Sequence, residues 1–237
     1  MITVDFKRIY IKPFLRILDI GCGSGRHTCE AYRYNGIFVV GADLNINNVT
    51  DTVKRLGYHE KLGEHGNGKW AGSVADTLYM PFKDQSFDLV ICSEVMEHIR
   101  DHKQAATEIN RVLKPGSDLI ISVPRYFPEL ICWAFSDDYH NVNQGHVRIY
   151  KKKEIISLFE KTGLELKSIH FAHSLHTPYW WLKCLAGPSG ENSMLIKLYH
   201  KFLVWDIMKH PGITRKIEKL LNPVLGKSIV LYFRKKM

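Results

Sequence analysis

The order of apolar and polar residues divides the chain into two unequal parts. From residue 16 to 172, short runs rich in Val, Ile and Leu alternate with stretches whose apolar residues recur every three or four positions. The runs are RILDIG (16–21), IFVVGAD (37–43), KWAGSV (69–74), FDLVICS (87–93), DLIISVP (118–124) and LELKSIHF (164–171). Their nearly unbroken apolar character is that of strands covered on both faces. Between them, Ala105, Ile109, Val112 and Leu113 predict a helix within 101–113 that Lys114-Pro115-Gly116 stops. Ile155, Ile156 and Phe159 predict another over 151–162, with Gly163 in the capping position. The alternation predicts an α/β fold with a doubly wound, mostly parallel sheet.

After residue 172 the pattern changes. HTPYWWLKCLAGPSGEN is aromatic and then turn-rich, and 193–210 is broadly apolar, predicting a helix that Pro211-Gly212 ends. Ile213, Ile217, Leu220 and Leu221 predict a short amphipathic helix stopping at Asn222-Pro223. KSIVLYFRKK (227–236) reads as a last strand with a basic tail. If that strand re-enters the sheet, the chain is a single domain: a core over 14–172, a helical insertion over 173–226, and a closing strand.

Composition narrows the class. With 237 residues, 45% hydrophobic and 24% charged, the chain has the balance of an ordinary soluble globular protein. No apolar run reaches the roughly 18 residues that span a bilayer, and MITVDFKRIYIKPFL lacks the apolar core of a secretion signal. A cytoplasmic location is the resulting expectation. Cys22, Cys29, Cys92, Cys132 and Cys184 are scattered without metal-ligand spacing, so reduced, buried thiols and no metal centre are expected. A net charge of +9 suits an acidic partner such as nucleic acid, anionic lipid or a phosphorylated small molecule, and equally a solvated basic surface.

The densest signal is LDIGCGSGRHT, which leaves the first strand and opens a helix. Gly21, Gly23 and Gly25 remove side chains where the backbone turns sharply and a ligand can lie against it. The spacing is GxGxG; the third glycine of a nicotinamide fingerprint would fall at Arg26, which argues against a pyrophosphate on this helix. Asp43 ends the second strand 18 positions beyond Gly25, where a carboxylate accepts from both hydroxyls of a ribose, or alternatively caps the helix that follows.

In order and spacing, LDIGCGSGRHT, GADL (41–44), VADTLYMPFKDQSFDLVICSEVMEHI (74–99) and INRVLKPGSDLIISVP (109–124) resemble the successive motifs of class I S-adenosylmethionine (SAM) dependent methyltransferases. The likeness is closest to the small-molecule branch that includes ubiquinone-biosynthesis methyltransferases, and it covers residues 14 to 172. It implies a Rossmann-like seven-stranded sheet whose last strand is antiparallel, with SAM as cofactor and S-adenosylhomocysteine as product. It further implies that Asp19, Gly21, Gly23 and Gly25 surround the methionine portion of SAM and that Asp43 holds the ribose. Leu44 would pack on adenine, Asp76 would reach its exocyclic amine or simply make a turn, and Ser93 would contact the ligand near the sulfonium or cap its strand.

Methyl transfer from a sulfonium is an in-line displacement that needs alignment, with a base where the acceptor is a hydroxyl or protonated amine. SEVMEHI places Glu94, Glu97 and His98 beyond the fourth strand; at helical spacing Glu94 and His98 share a face and Glu97 points elsewhere. His98 is the first candidate for a base, against a purely structural role. His146, with Arg148 and Tyr150 in GHVRIY, either contacts the acceptor or anchors a loop.

The family often places helices ahead of the glycine bend as a lid. Only about 15 residues precede the first strand here, too few for one, so closure is expected from 173–226 and 125–150. These regions carry Trp133, Trp180, Trp181, Trp205, Tyr126, Tyr139, Tyr179 and Phe202. They suit a pocket for an apolar or lipid-like acceptor, a membrane surface to which Lys183, Lys197, Lys201 and Lys209 bring charge, or a local core. The absence of a recognition module or an NPPY or DPPY tetrapeptide disfavours nucleic acid as substrate. Three other readings are an RNA methyltransferase, a SAM-binding interaction module without turnover, and, least, a nicotinamide dehydrogenase.

Overall fold

The computed structural model describes residues 1–136, 145–187 and 193–237; Tyr139 lies outside them. Seven strands form one sheet: β1 (Arg16–Ile20), β2 (Phe38–Asp43), β3 (Lys69–Val74), β4 (Phe87–Ser93), β5 (Leu113–Pro124), β6 (Leu164–Ala172) and β7 (Ser228–Lys235). Their order is β3-β2-β1-β4-β5-β7-β6. β1 to β5 pair in parallel, whereas β7 inserts antiparallel to both β5 and β6.

Apolar character is unbroken because successive residues serve opposite faces. Leu18, Val40, Val90, Ile121 and Leu231 join the core beneath α3 (His102–Val112) and α5 (Lys152–Glu160). Ile17, Val39, Leu89, Ile120 and Val230 join the other, with Cys29 and Tyr32 of α1 (Arg26–Tyr32) and Leu56 of α2 (Ile46–Lys61). All five cysteines are free and buried.

Local signals set the boundaries. The Asp101 side chain accepts from Gln104 N at 3.1 Å and starts α3. Gly163, at φ +93°, turns the chain out of α5 toward β6. The helix of 101–113 ends one residue earlier than its apolar spacing implies, because Leu113 already pairs with Phe87 as the first residue of β5.

Among the described residues between β6 and β7 lie a 3-10 turn (Ser174–His176) and the α-helices α6 (Thr177–Ala186), α7 (Met194–Lys209) and α8 (Gly212–Leu225). The last does not stop at Asn222-Pro223. A proline costs the helix one N–H bond, yet Gly226 N still donates to the Asn222 carbonyl at 2.9 Å and completes the turn. Helix α4 (Tyr126–Phe135) packs against α6, where Trp181 Nε1 donates to the Pro128 carbonyl at 3.0 Å. Among the described residues no helix is long and apolar enough to cross a membrane.

Candidate active site

The first strand delivers the chain into three glycines at positive φ: Gly21 at 63°, Gly23 at 52° and Gly25 at 81°. At Gly21 a Cβ would meet Val95 Cγ2 at 2.3 Å, so the bend closes against the segment after β4. A Cβ on Gly23 would find nothing within 4 Å: here the backbone faces open space. Gly25 opens α1 without a side-chain cap, leaving N–H groups of the helix start turned toward the cleft.

Asp43 stands opposite. Its Oδ2 accepts the Gly23 N–H at 2.9 Å, while Oδ1 accepts Asn45 N at 2.9 Å and Asn48 Nδ2 at 3.1 Å. The carboxylate is thus aimed by the neighbouring backbone and by α2, whose own cap is Asn45, accepting from Asn47 N at 2.9 Å. A cavity of about 880 Å³ lies over this corner, lined by Gly21, Gly23, Asp43, Leu44, Asp76, Ser93, Glu94 and His98 among others. That volume is in the range of sites for cofactor-sized ligands. Leu44, 71% exposed, presents an apolar surface at its edge. Asp76 is exposed, and its Oδ1 accepts Leu78 N at 2.9 Å.

Asp19 and Gly25 do not line this cavity. Asp19 is buried beneath the bend, where Thr28 Oγ1 donates to its Oδ2 at 2.6 Å. Burial raises its carboxyl to about 7 in spite of that bond.

Past β4 the segment is not an α-helix. Glu94 sits at φ +58°, and only Met96–His98 form a 3-10 turn, because the chain must bend around the glycine loop. Glu94 and His98 therefore do not share a helical face. Glu94 is reached through a hydroxyl relay: Ser93 Oγ and Ser122 Oγ are 2.7 Å apart, and Ser122 Oγ donates to Glu94 Oε1 at 2.8 Å. Burial raises the Glu94 carboxyl, with the Ser122 bond opposing. Glu97 is fully buried with neither carboxylate oxygen hydrogen-bonded, and burial, followed by the charge of Glu94, raises it well above the ordinary range.

His98 lines the cavity, and its Nδ1 lies 3.2 Å from the Gly145 carbonyl. A carbonyl only accepts, so Nδ1 carries the proton and Nε2 is the basic atom, 3.9 Å from Glu97 Oε1. His146 lines neither this cavity nor its neighbour. It bonds through Nδ1 to buried Glu129 of α4 and stacks edge-on with His98, centroids 4.9 Å apart. Arg148 donates to the Ile99 and Arg100 carbonyls and Tyr150 to that of Met96; GHVRIY clamps the turn from behind. One ligand atom each of Glu97, His98 and His146 lie within 4.8 Å of one another, a spacing that a single divalent cation can bridge.

A second cavity, about 470 Å³, adjoins the first and shares Glu94 and Arg26 with it. Its walls include His173, His176, Tyr179, Trp180 and Lys227. Burial holds His173 well below the ordinary imidazole value and His176 down to about 4, so both are neutral near pH 7. Lys227 Nζ lies over the Trp180 ring at 4.2 Å.

Ser122, Glu129, His173, His176 and Lys227 escaped the sequence reading. Glu129 left a signal, being the single charged residue in the apolar helix YFPELICWAF. His173 and His176 left another, a pair spaced by three at the end of β6.

The sequence profile of a family described as "Methyltransferase domain" matches residues 5–169. The chain is 33% identical over 172 residues to sterol 24-C-methyltransferase ERG6B of Gibberella zeae, covering 67% of this chain and 41% of that protein. It is 32% identical over 111 residues to the mitochondrial ubiquinone biosynthesis O-methyltransferase of Dictyostelium discoideum, covering 46% of this chain and 35% of that one. The chain therefore spans about a third to two fifths of the length of these curated relatives. In fold it matches a SAM-dependent methyltransferase of Methanosarcina mazei with a TM-score of 0.62 at 16% identity, covering 96% and 95% of the two chains. It also matches the [4+2]-cyclase SpnF with a TM-score of 0.62 at 19% identity, covering 98% of this chain and 78% of that one. The fold is Rossmann-like, of the kind seen in the SAM-dependent methyltransferase of Methanosarcina mazei. The chain belongs to the methyltransferase-domain family, whose expected cofactor is SAM.

Proposed function

We propose that the protein transfers the methyl group of SAM to a small, lipid-like acceptor. The observation that carries this reading is the corner itself: an open glycine backbone at Gly23 facing the Asp43 carboxylate. A nucleoside with a charged amino-acid arm fits it. Asp43 would hold the ribose hydroxyls, Leu44 one face of the adenine, Asp76 its amine, and Gly21, Gly23 and Ser93 the methionine portion. Asp19 would act beneath the bend, through Thr28. Bound there, SAM supplies an electrophilic methyl group.

The chain's own residues do the rest. Glu94 belongs to both cavities, so an acceptor in the second cavity would meet the first at this carboxylate. Its raised, hydroxyl-relayed carboxyl suits proton handling. His98 Nε2 is the alternative base; His146, bonded to Glu129, supports its ring as a positioning residue. Half-buried His173 and buried His176, both neutral, line a pocket with Tyr179 and Trp180 that favours an apolar acceptor. The sterol and ubiquinone-pathway activities of the relatives support that class. A cytoplasmic location is part of the same proposal.

The test is incubation with labelled SAM and metabolite and lipid extracts. Label entering an organic-soluble product supports the reading. The other reading, SAM binding without methyl transfer, is not favoured by relatives that are named methyltransferases. SAM binding with no label transferred to any extract, RNA included, would favour it.

A further inference from the structure

Helix α8 is mounted inside out. Its polar side faces the protein: Ser174 N donates to Asn222 Oδ1 at 3.0 Å, Ser174 Oγ donates to the Glu218 carbonyl at 3.2 Å, and Arg215 bonds Asp206 of α7. Thr214 is its sole buried residue. Ile213, Ile217, Leu220 and Val224, spaced as one stripe, face solvent with exposures of 67%, 43%, 78% and 68%. A helix built to cover its own core would bury that stripe.

The preceding helix extends the surface. On α7, Met194, Leu198 and Met208 are 85%, 63% and 73% exposed, and Trp205 is 46% exposed. Stripes of this extent on a folded chain mark a binding face.

Charge says what covers it. Residues 193–226 hold six Lys and Arg against two acidic residues, Asp206 and Glu218. Both acids are taken by Arg215. Lys201, Lys209, Lys216 and Lys219 are exposed on the same two helices, so the charge they present outward is positive. Apolar side chains flanked by lysine, with a tryptophan at half depth, are the chemistry of a helix lying in an anionic bilayer interface.

We infer that α7 and α8 form a monotopic docking surface for anionic phospholipid membrane. The placement has a consequence for the second cavity, since Leu203 and Ile207 of α7 line it. The helix that rests on lipid is then also a wall of the cavity. Docking does not depend on methyl transfer, and flotation reads it without any turnover.

The experiment is flotation of the full chain with vesicles of pure phosphatidylcholine and with vesicles one third phosphatidylglycerol. The variant carries Ile217→Glu and Leu220→Glu, two exposed positions away from both cavities. The wild type floats with the anionic vesicles and is released by high salt. The variant floats about tenfold less, as expected for two charges placed in the interface, while its circular dichroism and calorimetric SAM binding stay unchanged. Failure of the wild type to float on anionic vesicles overturns the inference, as does undiminished flotation of the variant. A concentration-dependent dimer in light scattering that the same substitutions abolish, without flotation, would overturn it in favour of a second copy of the chain.

Discussion

The Gly23 amide and the Asp43 carboxylate are joined at 2.9 Å, across the gap between the first bend and the tip of the second strand. The bond fixes the distance between two groups that come from separate strand ends, and it leaves the backbone of Gly23 open to the cavity. Asp43→Ala removes a charged acceptor that a ribose would use. Charged hydrogen bonds contribute about 1.5–3 kcal/mol, so calorimetry should show SAM affinity falling roughly tenfold to a hundredfold or more. A variant that binds SAM as tightly as wild type would remove Asp43 from the site.

Glu94 and His98 separate by kinetics. Glu94→Gln keeps the Ser122 contact but cannot take a proton. Where Glu94 is the base, kcat falls by about 10²- to 10⁴-fold with SAM affinity little changed, and His98→Gln costs less. The reverse ranking assigns the proton to His98 Nε2.

Buried Glu97, whose carboxylate oxygens accept no hydrogen bond, gives a stability prediction whose sign is fixed. Its folded carboxyl titrates above its unfolded one. Between the two the folded chain binds more protons, so the group favours folding least at high pH, and stability falls as pH rises from about 4.5. Glu97→Gln removes that slope. Urea unfolding should show the variant gaining on wild type from pH 5 to 8 by an amount on the order of 1–3 kcal/mol. A loss of stability at pH 8 would mean that a cation between Glu97, His98 and His146 offsets the charge.

The N-terminal segment rests on His27, whose Nε2 accepts Thr3 N at 3.1 Å and Val4 N at 3.5 Å. Burial holds this imidazole down to about 3. Unfolded, it protonates near 6.5; below that pH the unfolded chain binds the extra proton and stability falls toward pH 3. His27→Gln keeps an acceptor that does not titrate. Its loss of stability between pH 7 and 5 should be smaller than that of wild type by about 1–2 kcal/mol.

Much of the sheet was legible because its central strands β1, β2 and β4 are short apolar runs buried on both faces, which leaves no alternation to misread. The glycine corner was legible for a similar reason: Gly21 and Gly23 are backbone requirements written as residue types, and Asp43 is a carboxylate at a strand tip. The turn after β4 was not, since SEVMEH has helical composition and only the positive φ of Glu94 diverts it. Nor was the orientation of α8. Periodicity shows that Ile213, Ile217 and Leu220 share a face, but not whether that face turns to the core or away from it. The second cavity was hidden for another reason, being assembled from residues far apart in sequence, from Met1 to Ser228.

On the proposed function, this glycine and carboxylate corner binds an adenosyl sulfonium. Isothermal titration of the purified chain with SAM and with S-adenosylhomocysteine tests it most directly. One saturable site is expected for each ligand, weakened by Asp43→Ala. Absence of heat with both ligands on a folded chain, at more than one temperature, would contradict it.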